Sequence, residues 1–549
     1  MAELYLGVDV GTGSVRAGLF DATGTLKGVG RHDIQIWRAA GERVEQSSDD
    51  IWSATCLSVK AAMQAAGAKA TDVRGIGFDA TCSLVLLDAL FHPVPVGPEH
   101  EARRNVIVWM DHRATAQAAR INATQHRVLR YVGGAISPEM ETPKLLWLKE
   151  NLRGSYDQAS HFLDLSDWLT FRATGDLTRS TCALVCKWTW LAHEHRWDDS
   201  YLDEIGLGDL KEADHARFGN KIVAPGTPLG AGLSQKAASE LGLLPGIKVG
   251  AALIDAHAGA LATLGGHDAA GRPVDPRRRM ALIMGTSACC MSLSPGEIGV
   301  NGLWGPYYDA ITQGHWLTEG GMSAAGAALD RFLLTHPLAR SPDGGLRAGL
   351  FEELESAAKV AAPDLSHAAL LARNVHILAD VNGNRSPLAD PGMRGLWAGI
   401  GLAEDAASLL RLHIAALCGL AYGLADILDQ QERCGLTGHD TIVISGGLGR
   451  SPLARQIIAD ATGRTVSLPA TNEPVLLGAA MLGAVAAGEF ASLEQGMAAM
   501  SRDAAQNLPA RGEIAAFHRR KRKIHTMLQG LDREARALMA EPTNTPPAV

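Results

Sequence analysis

Apolar and polar positions alternate from the start of the chain: Leu4, Leu6, Val8 and Val10 alternate with Tyr5, Gly7 and Asp9. A period of two predicts a β-strand. Val15, Ala17 and Leu19 resume the alternation after Gly11-Thr12-Gly13-Ser14, so the segment reads as a hairpin with Asp9 facing away from Val8 and Val10. The same shape returns at residues 280–294, MALIMGTSACCMSLS, where Gly285-Thr286-Ser287 answers Gly11-Thr12-Gly13. That spacing is too long for a solenoid repeat. It fits two similar domains that each open on a hairpin, although short Gly-Thr turns also recur by chance.

Between the hairpins, residues 74–88 read as two strands and a turn, and residues 106–114 as a strand with a polar end. Residues 404–430 carry a helical pattern. Residues 441–445 read as a strand, followed by a glycine turn and a helix opened by Ser451 and Pro452. A strand at 464–469 and a helix at 473–488 follow. The Gly-, Pro- and Arg-bearing stretch 265–279 marks a boundary. The expected units are residues 1–265, residues 275–489, and a helical, charged extension over 490–549 whose last residues, PTNTPPAV, read as disordered.

Bulk composition narrows the classes. With 549 residues and 46% hydrophobic residues, the chain can bury large cores without disulfide staples. Its 60 glycines point to many close backbone approaches. The net charge of −8 argues against nucleic acid as a partner. The run HRRKRKIH, residues 518–525, reads as a solvated helix face rather than a nucleic-acid contact. No apolar run of ~18 residues and no signal peptide are visible, so neither a membrane span nor a membrane partner is expected. The eight scattered cysteines read as reduced and cytoplasmic. Cys182 and Cys186 are four apart, and Cys289 and Cys290 adjacent, without the clustered partners of a structural zinc site.

Three stretches offer chemistry. A Gly-Thr-Gly turn lets backbone N–H groups approach an anion, and Asp9 beside it suits a hard cation such as Mg2+; a plain hairpin with a strand-end acid reads equally from that stretch. In GAALIDAHAGAL, residues 250–261, Asp255 is a helix cap or a general base, with His257 as the rival base. Ser445-Gly446-Gly447-Leu448-Gly449 is a simple strand-to-helix turn or a bare backbone surface for a flat base. Neither the Walker spacing nor the Rossmann fingerprint is present at the first turn.

Taken in order, GVDVGTGSVRAGLFD, GFDATCSLVLLD, VWMDHRA, PKLLWLK, LSDWLTFRATG, ALVCKW, LIDAHAGAL, MGTSACCM, LTEGGMSAAG and SGGLGRSPLARQIIADATGRTV resemble the FGGY carbohydrate kinase family, ribulokinase-type pentulose kinases in particular. The likeness runs from Leu4 to about Gly488, and its order and spacing outweigh the bland readings of the hairpins and of Asp255. It implies a duplicated α/β fold of the actin-like ATPase (ribonuclease H-like) type, two lobes around a cleft, with a sugar-binding first lobe and a nucleotide-binding second lobe.

The same resemblance implies ATP and Mg2+ as cofactors. It casts Asp9 as the metal-linked acid, Gly11, Thr12 and Gly13 as the first phosphate loop, and Gly285, Thr286 and Ser287 as the second. Gly326 falls beside the nucleotide phosphates, Gly446, Gly447 and Ser451 in the adenosine segment, and Asp255 at the catalytic base. Cys82, Asp111, Lys187 and Glu319 fall at sugar-contacting positions, with Asp255 also at the sugar. Glu141 departs from the small or hydroxyl residue expected three before Lys144.

The activity implied is transfer of the ATP γ-phosphate to the terminal hydroxyl of a ketopentose, D-ribulose first, with L-ribulose, ribitol and D-xylulose behind. A homodimer is among the assemblies such kinases adopt. A non-catalytic actin-like ATP-binding protein, and a hydrolase using Asp255 with Glu319, are the readings from other classes.

Overall fold

The structure, a computed structural model, describes residues 3–540. Two sheets are built on one plan. In the first, Leu4–Val10 pairs antiparallel with Ser14–Asp21, and Leu26–Asp33 adds antiparallel outside it. On the other side Val73–Ala80 and then Lys248–Val249 run parallel. In the second, Arg279–Met284, Ala288–Ser294 and Trp316–Met322 repeat the antiparallel half, and Thr441–Ser445 and Thr465–Pro469 the parallel half. Strand order and sense therefore recur, which is the duplicated α/β plan the two hairpins predict. A smaller all-antiparallel sheet, which includes Leu84–Leu87 and Val106–Ile107, belongs to the first half.

The alternation at Leu4–Val10 suggests one solvated face, yet all seven residues are buried. Helix Pro474–Ala486, from far down the chain, covers that strand and its parallel neighbour. Its backbone comes so close that a Cβ at Gly7 would stand 2.1 Å from the Leu476 carbonyl oxygen, and one at Gly77 1.9 Å from that of Ala479. Helix Asp255–Leu264 packs on Pro474–Ala486 and on Arg279–Met284 of the second sheet. The two helices thus cross between the halves and fix them together. Gly77→Ala is expected to cost about 1–3 kcal/mol, the usual range for overpacking, read from the urea midpoint; an unchanged midpoint contradicts this contact.

The segment after residue 489 is not helical throughout. Asp503–Asn507 is a strand antiparallel to Thr465–Pro469 and extends the second sheet. Helix Gly512–Met539 carries the basic run, which is solvated in part: Arg519, Arg520 and Lys523 are exposed, whereas His518, Lys521 and His525 are buried. Lys521 Nζ donates to the carbonyls of Ala372 at 2.7 Å and Val375 at 2.6 Å, and Arg522 pairs with Asp426 and Asp429. The spacing 518, 521, 525 is that of one helix face, which turns Lys521 and the two histidines toward the second half of the molecule. Residues 542–549, expected to be disordered, lie outside the described residues.

Helix Ala406–Arg433 is the one helix among the described residues long and apolar enough to cross a membrane, and most of its apolar length is buried in the second core.

Candidate active site

A cleft of about 500 Å³ opens between the two hairpin turns. Gly11 and Thr12 line it from one side, Gly285, Thr286 and Ser287 from the other. In the first turn the Gly11 N–H is spent on the Ser14 carbonyl at 3.1 Å. The Thr12 carbonyl accepts from Gln46 Nε2 at 2.7 Å, and its hydroxyl accepts from Trp109 Nε1 at 2.9 Å. That hydroxyl is held in place with its own proton left to donate. Gly13 is off the lining, with its carbonyl accepting from the Ile34 N–H at 3.1 Å.

The second turn is clamped to the start of helix Gly326–Leu333. The Gly285 carbonyl accepts from Gly326 N–H at 3.0 Å, and the Thr286 carbonyl from Ala325 N–H at 2.8 Å and Ala327 N–H at 3.2 Å. Beyond this turn lies a second cavity of about 570 Å³, lined among others by Gly326, Phe351, Gly447, Leu448 and Ser451. The two cavities share only Gly285 and Thr286. Gly446 is off the lining; its φ of +88° and a would-be Cβ 2.3 Å from the Met284 carbonyl oxygen require glycine there and set the path of Gly447. Ser451 lines the cavity, but its hydroxyl donates to Glu355 at 2.7 Å and accepts from Ala454 N–H at 3.1 Å, capping helix Pro452–Thr462.

Two carboxylates, Asp9 and Asp255, line the cleft, and a third, Asp79, is buried beside Asp9. Asp9 and Asp79 stand in register on parallel strands, and Arg16 faces Asp9 from the antiparallel side. Arg16 Nε donates to Asp9 Oδ2 at 2.9 Å while its other arm reaches Glu473 at 2.8 Å. Asp79 is fully buried, and neither of its oxygens has a partner among the described residues. Burial, then Asp9 and Asp255, push its carboxyl well above the usual range. Asp255 opens helix Asp255–Leu264, with one oxygen accepting from Ala256 N–H at 2.7 Å. Burial, then the neighbouring Asp9, raise it to about 6. An all-oxygen set with two orphaned buried acceptors suits a hard dication such as Mg2+. His257 is held down to about 4 by burial, which leaves it neutral and a much weaker base than Asp255.

The far end of the first cleft is polar and aromatic. Lys187, at the end of helix Thr181–Lys187, places Nζ 5.3 Å from the centre of the Trp304 ring; the Arg385 guanidinium lies 5.3 Å from the same centre. Burial opposes the Lys187 ammonium, but the negative Glu319 favours its charge, and the group is held well above its ordinary value. One Glu319 oxygen is buried without a partner among the described residues. Cys82 lines the cleft as a neutral thiol, pushed up by burial. Glu139 also lines it, 3.5 Å from His112.

Of the expected residues, Asp111 departs on the sugar side, as Gly13 and Gly446 do at the turns, and Glu141, the departure from the family pattern, is also off the lining. Asp111 does not line the cleft: it is fully buried, bound to Arg113 at 2.7 and 2.8 Å and to the Val44 N–H at 2.6 Å. Its acceptors are committed to holding the strand end, which leaves none for a sugar. Glu141 is likewise buried off the lining, 3.3 Å from Lys144, and raised to about 8 by burial. Asp79, Glu139, Trp304 and Arg385 were not expected. For Asp79 a signal existed, since Gly77-Phe78-Asp79 repeats Gly7-Val8-Asp9 in register. Arg385 sits in an irregular loop where no periodicity marks it.

Comparison with known proteins agrees with this geometry. The FGGY family of carbohydrate kinases, N-terminal domain, matches residues 4–262, and the C-terminal domain of the same family matches residues 280–487. The chain is 46% identical over 513 residues to the FGGY carbohydrate kinase domain-containing protein of Homo sapiens, covering 91% of each. It is 36% identical over 526 residues to the D-ribulokinase of Saccharomyces cerevisiae, covering 89% of this chain and 72% of that one. Its fold superposes on the ligand-bound xylulose kinase of Lactobacillus acidophilus with a TM-score of 0.76 at 20% identity, covering 98% and 99% of the two chains. The fold is the two-domain actin-like ATPase fold.

Proposed function

Because the chain belongs to the FGGY family of carbohydrate kinases and is an ATP-dependent sugar kinase, we propose that its acceptor is a ketopentose, D-ribulose first, phosphorylated at its terminal hydroxyl. The observation that carries the mechanism is the meeting of the two cavities at Gly285 and Thr286. A nucleotide seated over Gly447 and Leu448 sends its phosphates past Gly326 to this turn. A sugar held by Lys187, Glu319 and the Cys82 wall then presents its end to Asp255. Asp255 accepts the hydroxyl proton as the oxygen attacks the terminal phosphorus, a step that depends on positioning and electrostatics more than covalent chemistry. Asp9 and Asp79, with Asp255 nearby, are the groups that would hold Mg2+; when bound, the ion offsets charge on the phosphates. The Thr12 hydroxyl is placed to donate to the same oxygens, and closure of the lobes excludes water.

We assign the sugar side to residues 1–265, the nucleotide side to 275–489 and the extension to 490–549, whose described part, up to residue 540, completes the second sheet and flanks it. The likeness to the yeast D-ribulokinase supports putting D-ribulose ahead of L-ribulose, ribitol and D-xylulose. A coupled ADP-release assay across these four acceptors tests this. The expected result is a kcat/KM for D-ribulose at least ~10-fold above the others, the scale on which a few hydrogen bonds discriminate. A higher value for any other acceptor overturns the assignment.

The raised Asp255 pKa sets a pH dependence. The base form exists above its pKa, so kcat/KM for the sugar should fall tenfold per unit as pH drops below about 6. A profile flat down to pH ~5 removes Asp255 as the base.

A further inference from the structure

Cys182 and Cys186 lie on successive turns of helix Thr181–Lys187, on one face, and His257 comes up to them from the first turn of helix Asp255–Leu264. All three are buried, and one ligand-capable atom from each lies within 4.8 Å of the others. His257 Nε2 is 3.4 Å from Cys186 Sγ, while its Nδ1 has no partner among the described residues. The phosphoryl-transfer mechanism uses none of these atoms. We propose that Cys182, Cys186 and His257 form a buried binding site for one thiophilic dication of the Zn2+ class, behind the catalytic cleft.

The geometry suits such an ion. Zinc binds sulfur at about 2.3 Å and imidazole nitrogen at about 2.0 Å, so tetrahedral neighbours stand about 3.5–3.8 Å apart. The observed spacing is within a small adjustment of that. Charge suits it as well. Two thiolates neutralise a dication, so the loaded cluster carries no net charge into a buried setting. A hard ion such as Mg2+ gains little from sulfur and is left to the carboxylates. A neutral imidazole ligates without giving up a proton, whereas each thiol must release one, so binding should tighten as pH rises. His257 also lines the cleft, which provides the route in, and three protein ligands leave a fourth tetrahedral position for water.

The alternative is a plain S–H···N contact between Cys186 and His257 in a packed interior. The full chain titrated with Cd2+ in excess Mg2+ separates the two. The thiolate-to-cadmium ultraviolet band should rise to a plateau at one equivalent. In the Cys182→Ala/Cys186→Ala double variant that band should be lost and Cd2+ affinity should weaken at least ~100-fold, with turnover in Mg2+ buffer free of Cd2+ and Zn2+ retained. A wild-type band absent at one equivalent, or one equally strong in the variant, overturns the site. Calorimetry of the wild type in two buffers of different ionisation enthalpy gives a reading that does not depend on the variant folding. The site requires about two protons released per Cd2+; none released means carboxylate binding and overturns it.

Discussion

Asp255→Asn is expected to lower kcat for sugar phosphorylation by about 10²–10⁴-fold, the span that a positioned general base contributes, while ATP still binds. Asparagine matches the shape of the acid and can keep the contact to the Ala256 N–H, but it accepts no proton. The same change should stabilise the protein. In the folded state the Asp255 pKa is raised to about 6 from an ordinary 3.8, by burial first and then Asp9. A raised acid favours folding only while protonated, so its contribution is lost as pH rises from about 4 through 6, and at neutral pH the ionised group strains the fold. Removing that charge recovers on the order of 1–3 kcal/mol. An inactive variant with a raised melting temperature is the paired signature. A variant that keeps half its turnover shows that another group takes the proton.

Lys187→Ala is expected to raise the sugar KM by about 100-fold or more, with the ATP KM little changed. The ammonium is buried on the lining of the first cleft, over the Trp304 ring and facing the charge of Glu319. Without it, Glu319 keeps a buried charge with no cation to answer it, and breaking a buried pair in this way costs about 3–5 kcal/mol. Sugar hydroxyls must then meet an unbalanced carboxylate. The nucleotide cavity touches the first cleft only through Gly285 and Thr286, so the loss should not reach it. Steady-state kinetics varying each substrate decides this; equal effects on both KM values remove Lys187 from the sugar side.

The parts of this site that could be read from the chain are those that local physics fixes. A hairpin with a Gly-Thr turn is specified by a dozen neighbouring residues, and both turns face the cleft. Asp255 was legible because a strand, an acid and a helix start follow one another directly. What failed to show are features that depend on distant partners. Leu4–Val10 alternates like a half-solvated strand, yet a helix some 470 residues downstream covers its second face, and only the glycines at positions 7 and 77 hint at that contact. Asp111 was misplaced for a related reason. It ends a strand on the sugar side, but Arg113, two residues on, folds back and takes its carboxylate. Arg385 and Trp304 come from irregular or edge segments whose meeting with Lys187 is a tertiary event. The buried side of the basic run at 518–525 does not show in its charge and follows only from its helical spacing.

The central claim is that Asp255 primes the terminal hydroxyl of a sugar in one cavity for a phosphorus delivered from the other. A crystal structure of the chain with D-ribulose and a non-hydrolysable ATP analogue tests it most directly. The account predicts an Asp255 carboxylate oxygen within hydrogen-bond reach, about 2.6–3.2 Å, of that hydroxyl, with the hydroxyl oxygen in line with the terminal phosphorus at the Gly285–Thr286 turn. A sugar whose terminal hydroxyl instead meets His257 or Glu319, with Asp255 out of reach, would contradict it.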